Sequence, residues 1–255
     1  MSVPADLSIT LYSNTACPFV HRTLITLHEL SIPFTPSFID LNTPRPEYYL
    51  KINPRGTVPA LTFTSPSYQN GKQIIINESL IIAYFLTDLF PNHLIPSPGS
   101  LEGATERARI LFVIDTWGNK VGGAFVKALL ASVGEEAAAS EAVDVAVQAV
   151  EKEIEPLLVK LEGDGDGPFL GGRDKFTLAE VAIAPFILRT FAQVDNGLLS
   201  PAYKEKLLAL PNFGKWATAV LKNESLLKDW DEATFVEGTK KKLQQFKDGT
   251  FKPKV

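Results

Sequence analysis

The chain has 255 residues, 45% of them hydrophobic and 21% charged, so it can bury a substantial core. Its net charge of −4 argues against a nucleic-acid binder, which would carry a basic face. No apolar run approaches the roughly 20 residues of a membrane-spanning helix. The lone cysteine, Cys17, excludes an intrachain disulfide and a multi-cysteine metal site, and with three scattered histidines (His21, His28, His93) no metal is expected. The opening Met1-Ser2-Val3-Pro4-Ala5-Asp6 has neither a basic start nor an apolar core, which points to a cytoplasmic protein with a free thiol.

Residues 8–12 are rich in β-formers and predict a first strand. Residues 18–30 carry Val20, Leu24, Leu27 and Leu30 at helical spacing. Residues 34–39, 57–64 and 73–76 predict three further strands, with Asn70-Gly71 as the turn signal between the last two. A helical period returns over 79–90. This βαβ-ββα order is a compact α/β unit over residues 1–92, and the Pro-rich stretch 93–100 reads as an ordered linker.

Strand signals then almost vanish. Residues 101–130 and 141–161 have long helical patterns, and the glycines of 163–167 end the second. Thr177 with Glu180 makes a capping box at the next helix, 177–191, and Phe176 and Val181 stand at hydrophobic-staple positions. A further helix is expected from Pro211 to Val220. Residues 101–255 thus read as an all-helical domain. The last stretch, 238–255, holds Lys240, Lys241, Lys242, Lys247, Lys252 and Lys254, and reads as a solvated, partly ordered tail.

Cys17 falls between a predicted strand and a predicted helix, and Pro18 suits the first helical position. A sulfur there meets free N–H groups and the positive end of the helix dipole, which stabilise a thiolate. Position alone leaves open a small buried hydrophobe. Cys17-Pro18-Phe19-Val20 has the spacing of a redox loop, but Val20 replaces the second thiol, so chemistry here needs an external thiol such as glutathione. In Thr57-Val58-Pro59-Ala60, a cis Val58–Pro59 step would turn the Val58 main chain toward a peptide-like ligand. Asn77-Glu78-Ser79 ends a strand and starts a helix. The hydroxyl and N–H groups there suit a carboxylate, and Glu78 suits an ammonium, as in the γ-glutamyl end of glutathione.

These three motifs, with Asn53-Pro54-Arg55-Gly56 ahead of the second, follow in order, and the chain resembles a cytosolic glutathione transferase of the omega class over essentially its whole length. The resemblance implies a thioredoxin-like N-terminal domain with a four-stranded mixed sheet and an all-helical C-terminal domain that lines the acceptor pocket. It implies Cys17 as the catalytic thiol, Val58 and Pro59 at the cysteinyl part of glutathione, and Glu78 and Ser79 at its γ-glutamyl end. Arg45 would meet the glycine carboxylate, with Lys51 as a nearby alternative, and Phe19 would pack beside the thiol. His21 reads as a residue of the exposed helix face. Trp117, Phe125 and Trp216 are candidates for the acceptor pocket, with core packing favoured for each. The implied partners are glutathione as co-substrate, a small electrophile or mixed-disulfide acceptor, and a second copy of the chain as a homodimer.

The leading expectation is glutathione-dependent thiol transfer through a Cys17–glutathione mixed disulfide, with dehydroascorbate reduction by the same cycle. One alternative is a hydroxyl-type conjugating enzyme or zeta-like isomerase using Thr15 or Ser13. Another is a ligand carrier without turnover.

Overall fold

A computed structural model describes residues 7–250; the opening Met1 to Asp6, with Lys252 and Lys254 of the tail, lies outside the described residues. The described residues form two compact units, 7–92 and 93–250.

The first unit is built on four strands: β1 (Ser8–Ser13), β2 (Thr35–Phe38), β3 (Ala60–Thr64) and β4 (Ile74–Asn77). Their order in the sheet is β2-β1-β3-β4, with β1 parallel to β2 and antiparallel to β3, and β3 antiparallel to β4. This is the four-stranded mixed sheet that the resemblance implied. Three helices accompany it: α1 (Pro18–Glu29), α2 (Glu47–Ile52) and α3 (Ser79–Leu89). The core joins Leu11 and Leu61 of the sheet to Val20, Leu24 and Leu27 of α1 and to Ile82 and Leu86 of α3. Helix α1 packs beside α3 and is buried all along Val20 to Leu27. The exposed face assigned to His21 is therefore absent: His21 is only 2% exposed. A one-sided amphipathic pattern does not describe a helix covered on every side.

The second unit is helical: α4 (Leu101–Thr116), α5 (Gly122–Ala131), α6 (Glu136–Glu153), α7 (Leu178–Asp195), α8 (Pro201–Ala209), α9 (Pro211–Val220), α10 (Glu224–Leu227) and α11 (Glu232–Lys247). The single run expected over 101–130 is broken into α4 and α5 by a π-helical turn, Trp117–Val121. Trp117, Phe125 and Trp216 are all buried, as core packing requires. Trp117 and Phe125 lie 5.0 Å apart between ring centroids, and Phe125 lies 5.5 Å from Tyr203. The expected basic tail is in part a helix: Phe235, Val236, Thr239 and Leu243 of α11 are buried, while Lys240, Lys241 and Lys242 point outward. Arg189 of α7 lies 4.9 Å from the Trp230 ring and 5.5 Å from that of Phe235, which fastens the start of α11.

Helix α7 is the axis of this unit and is buried along nearly its whole length. Its capping box is formed as the sequence signalled. The Thr177 hydroxyl accepts from the Ala179 N–H at 3.1 Å and donates to Glu180 at 2.6 Å, while the Thr177 N–H donates to Glu180 at 2.8 Å. The same carboxylate accepts from the Leu170 N–H at 3.0 Å and from the Trp216 indole at 2.8 Å. Glu180 is completely buried, and removing it would strand several buried donors. Glu180→Ala is expected to lower the stability of the full chain by on the order of 3 kcal/mol. Trp216→Phe, which removes one donor, should cost about 1 kcal/mol. Denaturant unfolding measures both, and near-equal midpoints for Glu180→Ala and wild type would show that the network is not a stability determinant.

Candidate active site

Register decides what meets what in the first unit. Tyr12 stands opposite Ala60, and Ala60 opposite Asn77. The end of β1, the start of β3 and the end of β4 therefore lie at one end of the sheet. The segments that follow or precede them are 14–17, 57–59 and 78–79, which are the three motifs singled out in the sequence.

The segment after β1 is fixed by Asn14, which is buried. Its side-chain amide donates to the Ile39 carbonyl at 3.0 Å, and its Oδ1 accepts from the Ala16 N–H at 3.2 Å. Its own carbonyl accepts from the Cys17 N–H at 3.0 Å. Cys17 sits at the N-cap of α1 in extended conformation, with Pro18 as the first helical residue. The thiol is partly exposed and donates to the Val58 carbonyl at 3.7 Å. Of the two hydroxyl alternatives, Ser13 is buried at the end of β1 and Thr15 is exposed on the turn.

Arg22, one turn into α1, is buried, and its guanidinium carbon lies 5.1 Å from the ring centroid of Phe19. Burial pushes the Arg22 guanidinium down to about 10, while negative charge at Cys17 and Tyr84 draws it back up. By reciprocity the cation favours the thiolate form of Cys17. At neutral pH Arg22 is still charged. Phe19 stands nearly half exposed over this cation. Arg22 carries no signal of burial in the sequence, since its neighbours His21 and Thr23 are polar.

The Val58–Pro59 peptide is cis. The turn ahead of it is held by α2, a helix that the sequence did not announce. The Tyr49 hydroxyl and the Asn53 amide both donate to the Thr57 carbonyl, at 2.5 and 2.8 Å. Burial pushes the Tyr49 hydroxyl up to about 12, so it remains a donor at neutral pH. Arg45 has a different engagement from the one expected of it. Its guanidinium donates to the main-chain carbonyls of Gly56 at 2.8 Å, Asp40 at 3.0 Å and Thr43 at 2.7 Å. In the structure it serves as a clamp joining the segment after β2 to the turn before Val58. Lys51 is exposed on α2.

At the end of β4, Glu78 adopts a left-handed backbone with φ 74°, and Ser79 is the buried first residue of α3. That backbone costs a non-glycine residue on the order of 1 kcal/mol. The Glu78 carboxylate meets Arg55 at 2.6 Å, with side-chain exposures of 50% and 73%. Such an exposed ion pair returns about 0.2 to 1 kcal/mol, so it does not explain the strain. The sequence pattern gave Arg55 no role. Among the described residues, no three His, Cys, Asp or Glu side chains gather where they could hold a metal ion.

The chain is similar to known proteins. Residues 16–89 fit the family model for the glutathione S-transferase N-terminal domain. Pyrimidodiazepine synthase of Drosophila melanogaster is 36% identical over 89 residues, 35% of either chain. The probable glutathione S-transferase DHAR1, cytosolic, of Oryza sativa subsp. japonica is 26% identical over 223 residues, covering 84% of this chain and 88% of the relative. Among solved structures, glutathione transferase Omega 2C from Trametes versicolor superposes with a TM-score of 0.68 at 29% identity, covering 92% of this chain and 99% of that one. Residues 16–89 thus match the glutathione S-transferase N-terminal domain, and over most of its length the chain is similar to a DHAR and to an omega glutathione transferase.

Proposed function

We propose that the chain is a glutathione-dependent thiol transferase and reductase with Cys17 as its nucleophile. The observation that carries this is a lone thiol at the N-cap of α1, partly exposed, with the buried Arg22 cation close enough to interact with its charge. The helix terminus and the cation both favour the thiolate.

The Cys17 thiolate attacks the glutathionyl sulfur of a mixed disulfide. A sulfur–sulfur bond to Cys17 forms as the old one breaks, and the acceptor leaves as its thiolate. A glutathione thiolate then attacks the Cys17–glutathione disulfide and returns Cys17 as thiolate, with oxidised glutathione as product. A low thiol pKa serves both steps, because more thiolate attacks and Cys17 leaves more readily. Dehydroascorbate reduction joins the cycle at its second half: the Cys17 thiolate adds to a dehydroascorbate carbonyl, a glutathione thiolate attacks the Cys17 sulfur as ascorbate leaves with the electron pair, and a second glutathione resolves the resulting Cys17–glutathione disulfide.

The main chain of Val58, beside Pro59, pairs with the cysteinyl part of glutathione. Glu78 and Ser79 hold the γ-glutamyl end. Arg45, which also holds the turn, meets the glycine carboxylate, with Lys51 as the alternative. Phe19 shields the thiol. We also propose a cytoplasmic homodimer, on the single cysteine, the resemblance and the relative named as cytosolic. Among the described residues no helix is long and apolar enough to cross a membrane.

Glutathione-dependent reduction of a small mixed disulfide is expected in wild type and is expected to be lost in Cys17→Ser. Activity that survives the substitution would shift the chemistry to Ser13 or Thr15. The alkylation rate of Cys17 by iodoacetamide should rise with pH well below the value of a free thiol, about 8.5. Arg22 titrates near 10, so its contribution is present throughout pH 5–8. Arg22→Met should therefore move the rise upward by about one unit, and Arg22→Lys should largely restore it. An unchanged profile in Arg22→Met would remove Arg22 from the account.

A further inference from the structure

Several features of Arg55 and Glu78 call for a common explanation. Arg55 lies on a turn held by Asn53: the Arg55 N–H donates to Asn53 Oδ1 at 3.2 Å, and the Gly56 N–H donates to the Asn53 carbonyl at 2.9 Å. The side chain nevertheless extends into solvent, where it meets a glutamate 23 positions further along the chain. That glutamate is held by a left-handed backbone at the start of α3, directly before buried Ser79. The pair is too exposed to be a fold determinant. Its partners also have capacity to spare. A guanidinium offers five N–H donors and a carboxylate about four acceptor sites, and the 2.6 Å contact uses one of each.

A fixed cation and a fixed anion side by side complement a ligand that carries the same two charges in the opposite places. An α-amino acid head group is such a ligand. We propose that Arg55 is a binding residue that takes the α-carboxylate of the γ-glutamyl group, while Glu78 takes its ammonium, so that the ion pair reads the head-group zwitterion. This rests on the glutathione-dependent reading of the Cys17 site. Arg55 donates to the carboxylate without leaving Glu78, and the planar guanidinium permits a two-point contact that an ammonium cannot make. Ser79 and the N-terminus of α3 complete the carboxylate's surroundings.

The test uses the full chain and S-methylglutathione, which cannot enter the disulfide cycle. Calorimetric dissociation constants are compared for wild type, Arg55→Met and Arg55→Lys. Two S-methylated analogues serve as probes, one lacking the α-carboxylate (4-aminobutanoyl-Cys-Gly) and one lacking the α-amine (glutaryl-Cys-Gly). Arg55→Met should weaken S-methylglutathione about tenfold and the decarboxylated analogue less than twofold. Its effect on the deaminated analogue, which keeps that carboxylate, should again be about tenfold. Arg55→Lys should fall between. Equal affinities in wild type and Arg55→Met, or an equal loss for all three ligands, would overturn the role of Arg55 while leaving glutathione binding in place. Failure of wild type itself to bind S-methylglutathione would overturn the glutathione reading and this assignment with it.

Discussion

Strand register is the constraint on which the site depends. Because Tyr12, Ala60 and Asn77 lie side by side, the chain leaves or enters the sheet three times at one end. A slip of one residue in β3 would turn Leu61 and Phe63 from the core side to the opposite face and would carry Val58 away from the thiol. The core of the first unit therefore does more than stabilise: through the alternation of β3 it sets the 3.7 Å approach of Cys17 to the Val58 carbonyl. The polar side chains at this end then fix the loops locally. Asn14 holds the turn into α1, and Tyr49 with Asn53 holds the turn before the cis peptide.

Electrostatics supplies what register cannot. A thiol at a helix N-cap is favoured as thiolate by the helix dipole, which is a surface-scale effect. Arg22 adds a full charge in a buried setting, where screening by water is weak. The cost of burying that cation appears in its own lowered proton affinity. Phe19 lies over it, with the ring centroid 5.1 Å from the guanidinium carbon. At the other corner, Arg55 and the backbone-strained Glu78 form an exposed pair, an arrangement suited to a ligand.

Much of this was legible from local signals. The four strands, α1 and α3 were announced by period and turn chemistry, and the capping box at Thr177 and Glu180 marked the start of α7 to the residue. Cys17 before Pro18 marked the helix N-terminus. What escaped has physical reasons. Helix α2 has six residues and only Tyr49 buried, too little for a period to show. Helix α11 has Phe235, Val236, Thr239 and Leu243 at helical spacing, but its run of lysines drew attention to charge instead of to the apolar stripe. The sequence placed His21 on an exposed face and gave Arg22 no role, because their burial comes from tertiary packing around α1, which a single helix cannot announce. The clamp formed by Arg45 depends on three carbonyls from distant turns, and no spacing rule reaches them.

The central claim is that Cys17 becomes covalently joined to glutathione during turnover. Intact-mass spectrometry of the protein, mixed briefly with a glutathionylated substrate and quenched in acid, tests it directly. The account predicts a species heavier by one glutathionyl group, mapped to the peptide containing Cys17, which disappears when reduced glutathione is added. Substrate turnover with no such adduct would contradict the account and would place the chemistry on bound glutathione itself.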